Sequence, residues 1–195
     1  MAVKNILIHP DPLLKKQCSV VKAVSSEVKE LARDMLETMY AAPGVGLAAP
    51  QVGVLERIFV MDCSGKDAEP TPLVLINPTI IWTSHEKNVY NESCLSLPEM
   101  YEDVERPAQA VIQFLDIDGA EQECEFDGLW ATCAQHELDH LNGKLFIDYL
   151  SGLKRTMITK KMMKLKKERA RALRFEGLFC GLISGCERLA NLYLW

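Results

Sequence analysis

The sequence predicts an α+β fold in which short, mostly antiparallel strands surround one central helix. Three observations lead to this prediction. The chain has 195 residues, 48% of them hydrophobic and 25% charged, which is enough for one sizeable core. Short strand-like runs follow one another instead of alternating with helices, as they would in a doubly wound sheet. A helical pattern between residues 128 and 141 interrupts these runs.

The first regular element is an N-terminal helix that begins after Ser25. The sequence Ser25-Ser26-Glu27 is typical of a helix start. Apolar residues then recur at helical spacing: Val28, Leu31, Ala32, Met35 and Met39. We expect this helix to end near residues 41–43 and the glycine-rich segment 44–51 to form a loop.

Strand candidates occupy much of the middle of the chain. Three short ones lie at residues 57–61, 73–76 and 79–82. Asn77 and Pro78 are expected to break the last two apart. The best hairpin has its turn around Asp118 and Gly119 and joins the runs 109–115 and 121–126.

The C-terminal half is predicted to be largely helical. The central helix runs from Gly128 to a stop signal at Asn142-Gly143. A strand-like run at residues 145–147 separates it from a long C-terminal helix that begins at about Leu153.

The central helix contains the sequence His136-Glu137-Leu138-Asp139-His140. Positions i and i+4 share a helix face, so both imidazoles can reach one divalent metal, and Glu137 stands beside them to handle a proton. The alternative is a core helix that happens to contain two histidines. Such a helix would also have to accommodate a charged glutamate and aspartate on an apolar element. The spacing therefore predicts a metal-binding helix.

A metal site of this kind needs a third protein ligand and an open fourth position. A metzincin would have a histidine six residues after His140, where this chain has Phe146. A thermolysin-like enzyme would offer a glutamate roughly twenty residues downstream, where residues 159–163 contain none. The best upstream candidate is Cys94, because a thiolate is a strong ligand for zinc or ferrous iron.

A glycine-rich segment gives a third indication of a reactive site. In the run Gly44-Val45-Gly46-Leu47-Ala48-Ala49-Pro50-Gln51, small residues let a backbone approach a ligand closely. The amide of Gln51 is able to donate to an oxyanion. Taken alone, such glycines and alanines are more often turn and packing residues.

Together, the three segments closely resemble the motifs of the peptide deformylases. Those motifs read Gly-x-Gly-x-Ala-Ala-x-Gln, Glu-Gly-Cys-Leu-Ser and Gln-His-Glu-x-Asp-His, and all three occur here in family order. The match runs from about Ile6 to the basic stretch near Arg171. One position departs, since Ser93 stands where the family usually has glycine. Serine disfavours a positive φ, so the backbone at Ser93 bears on the loop geometry and on the rate.

The resemblance implies a metal-dependent hydrolase that removes the N-formyl group from formyl-methionyl nascent peptides and releases formate. The metal ligands would be Cys94, His136 and His140. Glu137 would take a proton from water and later donate it to the departing amine. The resemblance favours Fe²⁺ in the cell, with Zn²⁺, Ni²⁺ or Co²⁺ able to substitute.

The resemblance also implies the residues that contact the substrate. The side-chain amide of Gln51 and the backbone N–H of Leu95 would receive the negative charge that develops on the formyl oxygen. Methionine would enter an apolar pocket beside the metal helix, and Gly46 would meet the substrate backbone. The expected pocket lining is Val45, Leu129 and Cys133.

Two other functions remain open at this point. A metallopeptidase would use the same water-activation chemistry, and release of amino acids instead of formate would identify it. A non-catalytic relative could keep the fold and dock on ribosomes or nucleic acid. Ser93 is the feature that favours such degeneration, whereas intact Glu137, Gln51 and all three ligands argue against it.

Cysteine usage and the N-terminus predict a cytoplasmic protein. The seven cysteines are scattered, odd in number and without framework spacing, so they are expected to be reduced thiols. Residues 1–6 lack the hydrophobic region of a signal peptide and the arginine-rich pattern of a transit peptide.

The net charge of −5 is unevenly distributed along the chain. Between Lys154 and Arg174 lie ten of the 22 basic residues and a single acid, Glu168. This stretch is either the solvated face of a helix or a patch that attracts phosphate backbones, as on a ribosome, or an acidic partner.

The sequence predicts one catalytic domain at residues 1–174 and an apolar amphipathic tail, expected to be helical, at 175–195. A membrane span is not expected, because Glu187 and Arg188 interrupt the tail and its charge-free run is about half of the roughly 20 residues needed. The apolar stripe of the tail requires a covering surface: its own domain, a second copy of the chain or a membrane surface. The oligomeric state is not determined by the sequence.

Overall fold

The structure, a computed structural model, describes residues 2–65 and 68–180, and the surroundings of side chains as far as residue 171. The α+β prediction is confirmed. The helices are α1 (Ser26–Ala41), α2 (Gly128–Leu141) and α3 (Gly152–Cys180). The strands are β1 (Gly46–Ala48), β2 (Ile58–Met61), β3 (Leu73–Thr83), β4 (Lys87–Cys94), β5 (Leu97–Pro107), β6 (Gln109–Leu115) and β7 (Glu121–Asp127).

The strands form two antiparallel sheets. Five of them pair in the order β1-β2-β3-β6-β7, and β4 pairs with β5 as a separate hairpin. The helix α2 packs against the first sheet, where Ala131 and Ala134 join a buried cluster with Phe59, Leu75 and Ile112. The hairpin packs against the 3₁₀ turn Phe146–Tyr149 and the start of α3. The hairpin also contacts α2, through Glu92 with His136 and Arg106 with Asp139, so α2 lies against both sheets.

The helix α1 forms as its sequence predicts. The Ser25 side chain accepts a hydrogen bond from the Val28 N–H and caps the helix N-terminus. The predicted apolar face is buried, with Met35 and Met39 in one cluster with Leu47 and Ile58. This packing fixes α1 against the strand β1, which carries the glycine-rich segment.

Three local predictions are wrong. The glycine-rich segment is not a loop: it forms β1 and the 3₁₀ turn Ala49–Val52. The run 145–147 is not a strand, because Phe146–Tyr149 forms a 3₁₀ turn whose Phe146 and Ile147 are buried. Asn77 and Pro78 do not end the third strand, since β3 continues from Leu73 to Thr83.

Asn77 explains how β3 continues. Its φ of 53° is in the left-handed region, which asparagine tolerates better than most residues. Its side chain accepts a bond from the Val21 N–H and donates one to the Val21 carbonyl, each 2.9 Å long. The pairing with β6 shifts register between Ile76 and Thr79 and then resumes. The break predicted from Asn-Pro is thus an irregularity within one strand.

The C-terminal end of α2 is fixed by the N-terminal segment of the chain. Gly143 has a φ of 72°, and a Cβ atom there would lie 2.6 Å from the Lys15 carbonyl oxygen. The Cys18 N–H donates to the Leu141 carbonyl at 2.8 Å. The stop predicted at Asn142-Gly143 is therefore confirmed, and it rests on a contact over 120 residues distant in sequence.

The predicted tail at 175–195 falls mainly outside the described residues. The backbone of α3 is described to Cys180, whereas residues 181–195 and the side chains from 172 onward lie outside them. Within the described ranges, none of the helices combines the length and apolar character that crossing a membrane requires.

Candidate active site

Three predicted ligands meet between α2 and the end of β4. One ligand atom each from Cys94, His136 and His140 lies within 4.8 Å of the others, and all three residues are buried. The Cys94 Sγ is 3.2 Å from the His140 Nε2. Donor atoms of a tetrahedral zinc or iron site lie roughly 3.3–3.8 Å apart, given metal–ligand bonds of about 2.0–2.3 Å. The cluster therefore fits one divalent metal ion.

Unpartnered polar atoms also mark this place. In the described part of the chain, three buried side-chain polar atoms have no hydrogen-bond partner, and two of them are Glu137 Oε2 and His140 Nδ1. Buried polar groups are otherwise almost always paired. The unpartnered oxygen of Glu137 lies beside the three ligands and indicates a site that takes a ligand.

A buried carboxylate orients the first histidine. Glu92 Oε2 lies 2.8 Å from His136 Nδ1, which leaves the other ring nitrogen of His136 for a metal. Burial opposes the ionisation of Glu92, but hydrogen bonds from His136 and Arg106 and their charges outweigh it, so the pKa of Glu92 is below its usual value. Glu92 is therefore a carboxylate that holds the ring.

Arg106 connects Glu92 with α2. Its Nε and Nη2 donate to the two oxygens of Glu92 at 2.5 and 3.1 Å, and its Nη1 donates to Asp139 Oδ2 at 2.8 Å. All three charged side chains are buried or nearly so. Sequence reasoning missed this arrangement. The one available signal was the position of Glu92 two residues before the candidate ligand Cys94.

Glu137 lies beside the ligands and against the glycine-rich strand. Its pKa rises to about 7, because burial disfavours the ionised form. A carboxyl group with such a pKa can both accept and release a proton near neutral pH. A Cβ atom on Gly46 would collide with Glu137 Oε1 and would lie 2.7 Å from Cys133 Sγ. Only glycine at position 46 leaves Glu137 where it is.

Gln51 points into the same site from the 3₁₀ turn after β1. Its Oε1 accepts from the Ala48 N–H at 2.8 Å, which fixes the amide orientation. Its Nε2 is 3.6 Å from Cys94 Sγ and 3.2 Å from Ser96 Oγ. Leu95 follows Cys94 directly, and its side chain packs against Gly44. The amide donor and the Leu95 backbone thus flank the cysteine.

Two of the three residues expected to line a substrate pocket are in contact. Cys133 Sγ is 3.5 Å from the Val45 carbonyl oxygen, and Leu129 lies one turn before Cys133 on α2. Cys133 is buried, whereas Val45 and Leu129 are each 44% exposed. Val45 and Cys133 are therefore neighbours, and Leu129 lies one helical turn away from Cys133.

Ser93 causes no backbone strain. It lies within β4, where it pairs with Tyr101 of β5. In the described ranges the non-glycine residues with a positive φ are Asn77 and Glu99, so Ser93 has an ordinary extended backbone. The departure from the family's glycine is compatible with this site.

Comparisons with known proteins agree with this geometry. The model of the polypeptide deformylase family matches residues 3–156. The chain belongs to this family. It is 49% identical to the peptide deformylase of Rhizobium meliloti over 169 residues, which are 87% of this chain and 97% of that protein. It is 52% identical to that of Agrobacterium fabrum over 164 residues, 84% of this chain and 96% of that protein.

A solved structure extends the likeness to the fold. The crystal structure of the peptide deformylase from Ehrlichia chaffeensis superposes with a TM-score of 0.83 at 38% identity, covering 87% of this chain and 99% of that one. The predictions of family and fold are therefore confirmed. The chain is a metal-dependent hydrolase of the family that removes the N-formyl group from nascent peptides. This assignment favours deformylation over the metallopeptidase and the non-catalytic relative.

Proposed function

We propose that this chain deformylates formyl-methionyl nascent peptides with Cys94, His136 and His140 as ligands of a ferrous ion and Glu137 as the proton carrier. The observation that carries the proposal is the convergence of the three ligand atoms beside an unpartnered oxygen of Glu137. A thiolate beside two imidazoles suits Fe²⁺ and also accepts Zn²⁺, Ni²⁺ or Co²⁺. When bound, a divalent ion supplies a Lewis acid that brings the pKa of water close to neutrality.

Glu137 moves the proton in this proposal. Its carboxylate accepts a proton from the attacking water and then donates it to the amine that leaves the formyl carbon. A pKa raised by burial suits both steps, because neither protonation state is then strongly disfavoured near pH 7. Gly46 keeps the carboxylate in reach of the ligands by leaving room for it.

Gln51 and Leu95 would stabilise the tetrahedral transition state. The formyl oxygen gains negative charge as water adds, and the Gln51 Nε2 and the Leu95 backbone N–H would donate to it. The Gln51 amide is preorganised by its bond from Ala48, so little reorganisation is needed. Removing one such donor typically raises the barrier by about 3–4 kcal/mol.

Methionine specificity would come from the wall formed by Val45, Leu129 and Cys133. These side chains are apolar and begin beside Glu137, so an unbranched apolar chain can extend from the reacting carbon toward the surface. Gly46 would face the substrate backbone, where its lack of a side chain permits a close approach.

A side-by-side assay tests the proposal. The protein is given a formyl-Met tripeptide and the same tripeptide without the formyl group, and formate and free amino acids are measured. Formate from the first peptide and no cleavage of the second is the expected result. Release of amino acids would contradict the proposal.

The role of Cys94 as a ligand is tested by a substitution. The variant Cys94→Ser should lose metal affinity and activity together. A formyl thioester trapped on Cys94 of the wild type would show that this residue is a nucleophile instead.

The nature of the ion needs its own measurement. Protein purified without oxygen should contain iron, and air should inactivate the iron form faster than the zinc form. Equal sensitivity of the two forms would contradict a ferrous centre.

The basic stretch 154–174 would bring the enzyme to its substrates. Its lysines and arginines from Lys154 to Arg171 are exposed on α3. Substrates of this kind emerge from ribosomes, so we place the enzyme in the cytoplasm with α3 facing ribosomal phosphates. Residues 1–174 would act as one catalytic domain, with 175–195 as a separate tail.

A further inference from the structure

A half-exposed tyrosine contacts the buried charges behind the ligand cluster. The hydroxyl of Tyr149 lies 3.1 and 2.9 Å from the two oxygens of Asp139. The guanidinium of Arg106 lies over the Tyr149 ring, 4.9 Å from its centre. The same guanidinium binds Asp139 Oδ2. Tyr149 therefore touches two members of the buried network with two different parts of its side chain.

The orientation of Arg106 can affect His136, because both side chains bind the same oxygen atom of Glu92. Glu92 Oε2 accepts from Arg106 Nη2 at 3.1 Å and from His136 Nδ1 at 2.8 Å. A guanidinium is planar and rigid, so a rotation that improves its bond to Asp139 changes both of its bonds to Glu92. A shift of Oε2 then moves the imidazole that it holds.

The charge balance of the network explains why Asp139 needs a donor. Arg106 is the single cation between two carboxylates, Glu92 and Asp139, and all three are removed from bulk water. Without another hydrogen-bond donor, the Asp139 carboxylate would depend on Arg106 alone and would compete with Glu92 for its N–H groups. The Tyr149 hydroxyl supplies that donor, and its ring limits how far the guanidinium can tilt.

We propose that Tyr149 is a positioning residue for the metal centre, acting through Asp139, Arg106 and Glu92 to fix the His136 ring. This inference rests on the ligand set of the proposed function. It extends control of metal retention from the buried site to a side chain that is 50% exposed. Tyr149 touches neither the ligands nor the substrate wall in this account, so its effect should be on metal binding and not on substrate binding.

The test compares Tyr149→Phe with Tyr40→Phe. Tyr40 is a matched control, because it is 46% exposed and its hydroxyl donates to the Asp62 carboxylate at 2.6 Å. The metal dissociation constant is measured by competition with a chromogenic chelator, using Zn²⁺ as the probe. Direct partners of a ligand are typically worth roughly 10–100-fold in metal affinity, so this more remote residue should be worth about three- to tenfold.

The expected result is weaker zinc binding for Tyr149→Phe alone, with the same KM for a formyl-Met tripeptide as the wild type. Unchanged zinc binding by Tyr149→Phe, whatever its KM, would overturn the inference, because Tyr149 would then have no role in metal retention. An equal loss of zinc affinity in Tyr40→Phe would also overturn it, because it would show a general loss of stability.

A second variant tests the route. Asp139→Asn should weaken zinc binding more than Tyr149→Phe does, because it removes a charge from Arg106. If the tyrosine acts through Asp139, the double variant should be no weaker than Asp139→Asn alone. Additive losses would overturn the route. Failure of the proposed function is distinguishable, because zinc binding is measured without turnover, whereas the proposed function is tested on the wild type by its products and by its native metal.

Discussion

The two helices of the C-terminal half both contain clustered ionisable residues, but in opposite surroundings. In α2, His136, Glu137, Asp139 and His140 are buried. In α3, the basic residues from Lys154 to Arg171 are all exposed. A buried charge depends strongly on each of its few partners, because little water is present to replace them. Exposed charges act together over about a Debye length, roughly 10 Å at 0.1 M salt.

This difference in burial predicts that the two helices respond differently to substitution. A change of a single atom in α2 or its partners should alter the chemistry or the metal. In α3, several charges should have to change together before an effect is measurable. That effect should be on the affinity for a partner whose binding depends on the summed charge of the helix.

The largest effect is expected from Glu137→Gln. The amide has nearly the same shape but cannot accept the water's proton, so kcat should fall by about 10²- to 10⁴-fold. Metal content should stay at the wild-type level, because Glu137 is not one of the three ligands. The measurements are formate release under saturating substrate and metal analysis of the purified protein. A kcat above about a tenth of the wild-type value would exclude Glu137 as the base.

The next effect is expected from Glu92→Gln. Loss of this carboxylate removes the charged partner of both His136 and Arg106, so metal affinity should fall by roughly 10- to 100-fold. The strand partner of Glu92 offers a control, since Glu102 lies opposite it in the hairpin and bonds the exposed Lys154. Glu102→Gln should leave metal affinity unchanged. Equal metal affinities of the two variants would contradict the role given to Glu92.

A smaller and conditional effect is expected from reversing charges on α3. Turnover of a formyl-Met tripeptide should be nearly unchanged, while ribosome binding should weaken most at low salt. Each lost phosphate contact lowers the slope of log affinity against log salt by about 0.7–0.9. The four substitutions are Lys160→Glu, Lys161→Glu, Lys164→Glu and Lys167→Glu.

A control separates local charge from net charge. The same number of reversals on other elements should leave ribosome binding closer to that of the wild type. Suitable exposed or half-exposed positions are Lys4, Lys22, Lys29 and Lys87. If ribosome binding had the same salt dependence in both variants and in the wild type, α3 would be an ordinary solvated helix with no role in ribosome binding.

The smallest effect is expected from Ser93→Gly. Ser93 is exposed, lies within β4 and has no positive φ, so glycine relieves no strain there. The value of kcat/KM should change by no more than about twofold, which corresponds to the roughly 0.5 kcal/mol typical of surface substitutions. Metal content should be unchanged. A large loss of activity would show that the hydroxyl is needed near Cys94.

Local signals predicted the parts of the fold that depend on neighbours in sequence. The cap at Ser25 and the turn at Gly119 each act over a few residues, and the structure has both. The stop at Gly143 was also predicted from a local signal, although a distant contact with Lys15 adds to it in the structure. The hairpin β4–β5 was not predicted. Its burial alternates along β4 and along most of β5, but charged residues such as Glu92 and Arg106 occupy inward-facing positions, so the sequence lacks the apolar–polar alternation of a half-buried strand. Their burial makes sense only once their partners are known.

The same limit applies to the site. Both histidines and Glu137 were predicted because one helical turn brings them together. Cys94 was predicted by elimination and by resemblance. Arg106 and Tyr149 gave no signal, since each acts on α2 through a contact that folding alone creates. Sequence spacing can predict the residues of one face of one element, but not the charges that different elements bring to it.

Gly46 has a consequence for inhibitors of this enzyme. A common route to drug resistance is to enlarge a residue at the mouth of a pocket until the compound no longer fits. A larger residue at position 46 should not give resistance, because even a methyl group there would collide with Glu137 and Cys133. Such a substitution should lower the activity of the enzyme as well as the affinity of the compound. Resistance should arise instead at Val45 and Leu129, which the proposed pocket has at its rim and which are partly exposed, so that they can change size without moving the carboxylate. A compound that draws its affinity from the backbone of Gly46 would therefore be harder to evade than one that depends on the rim.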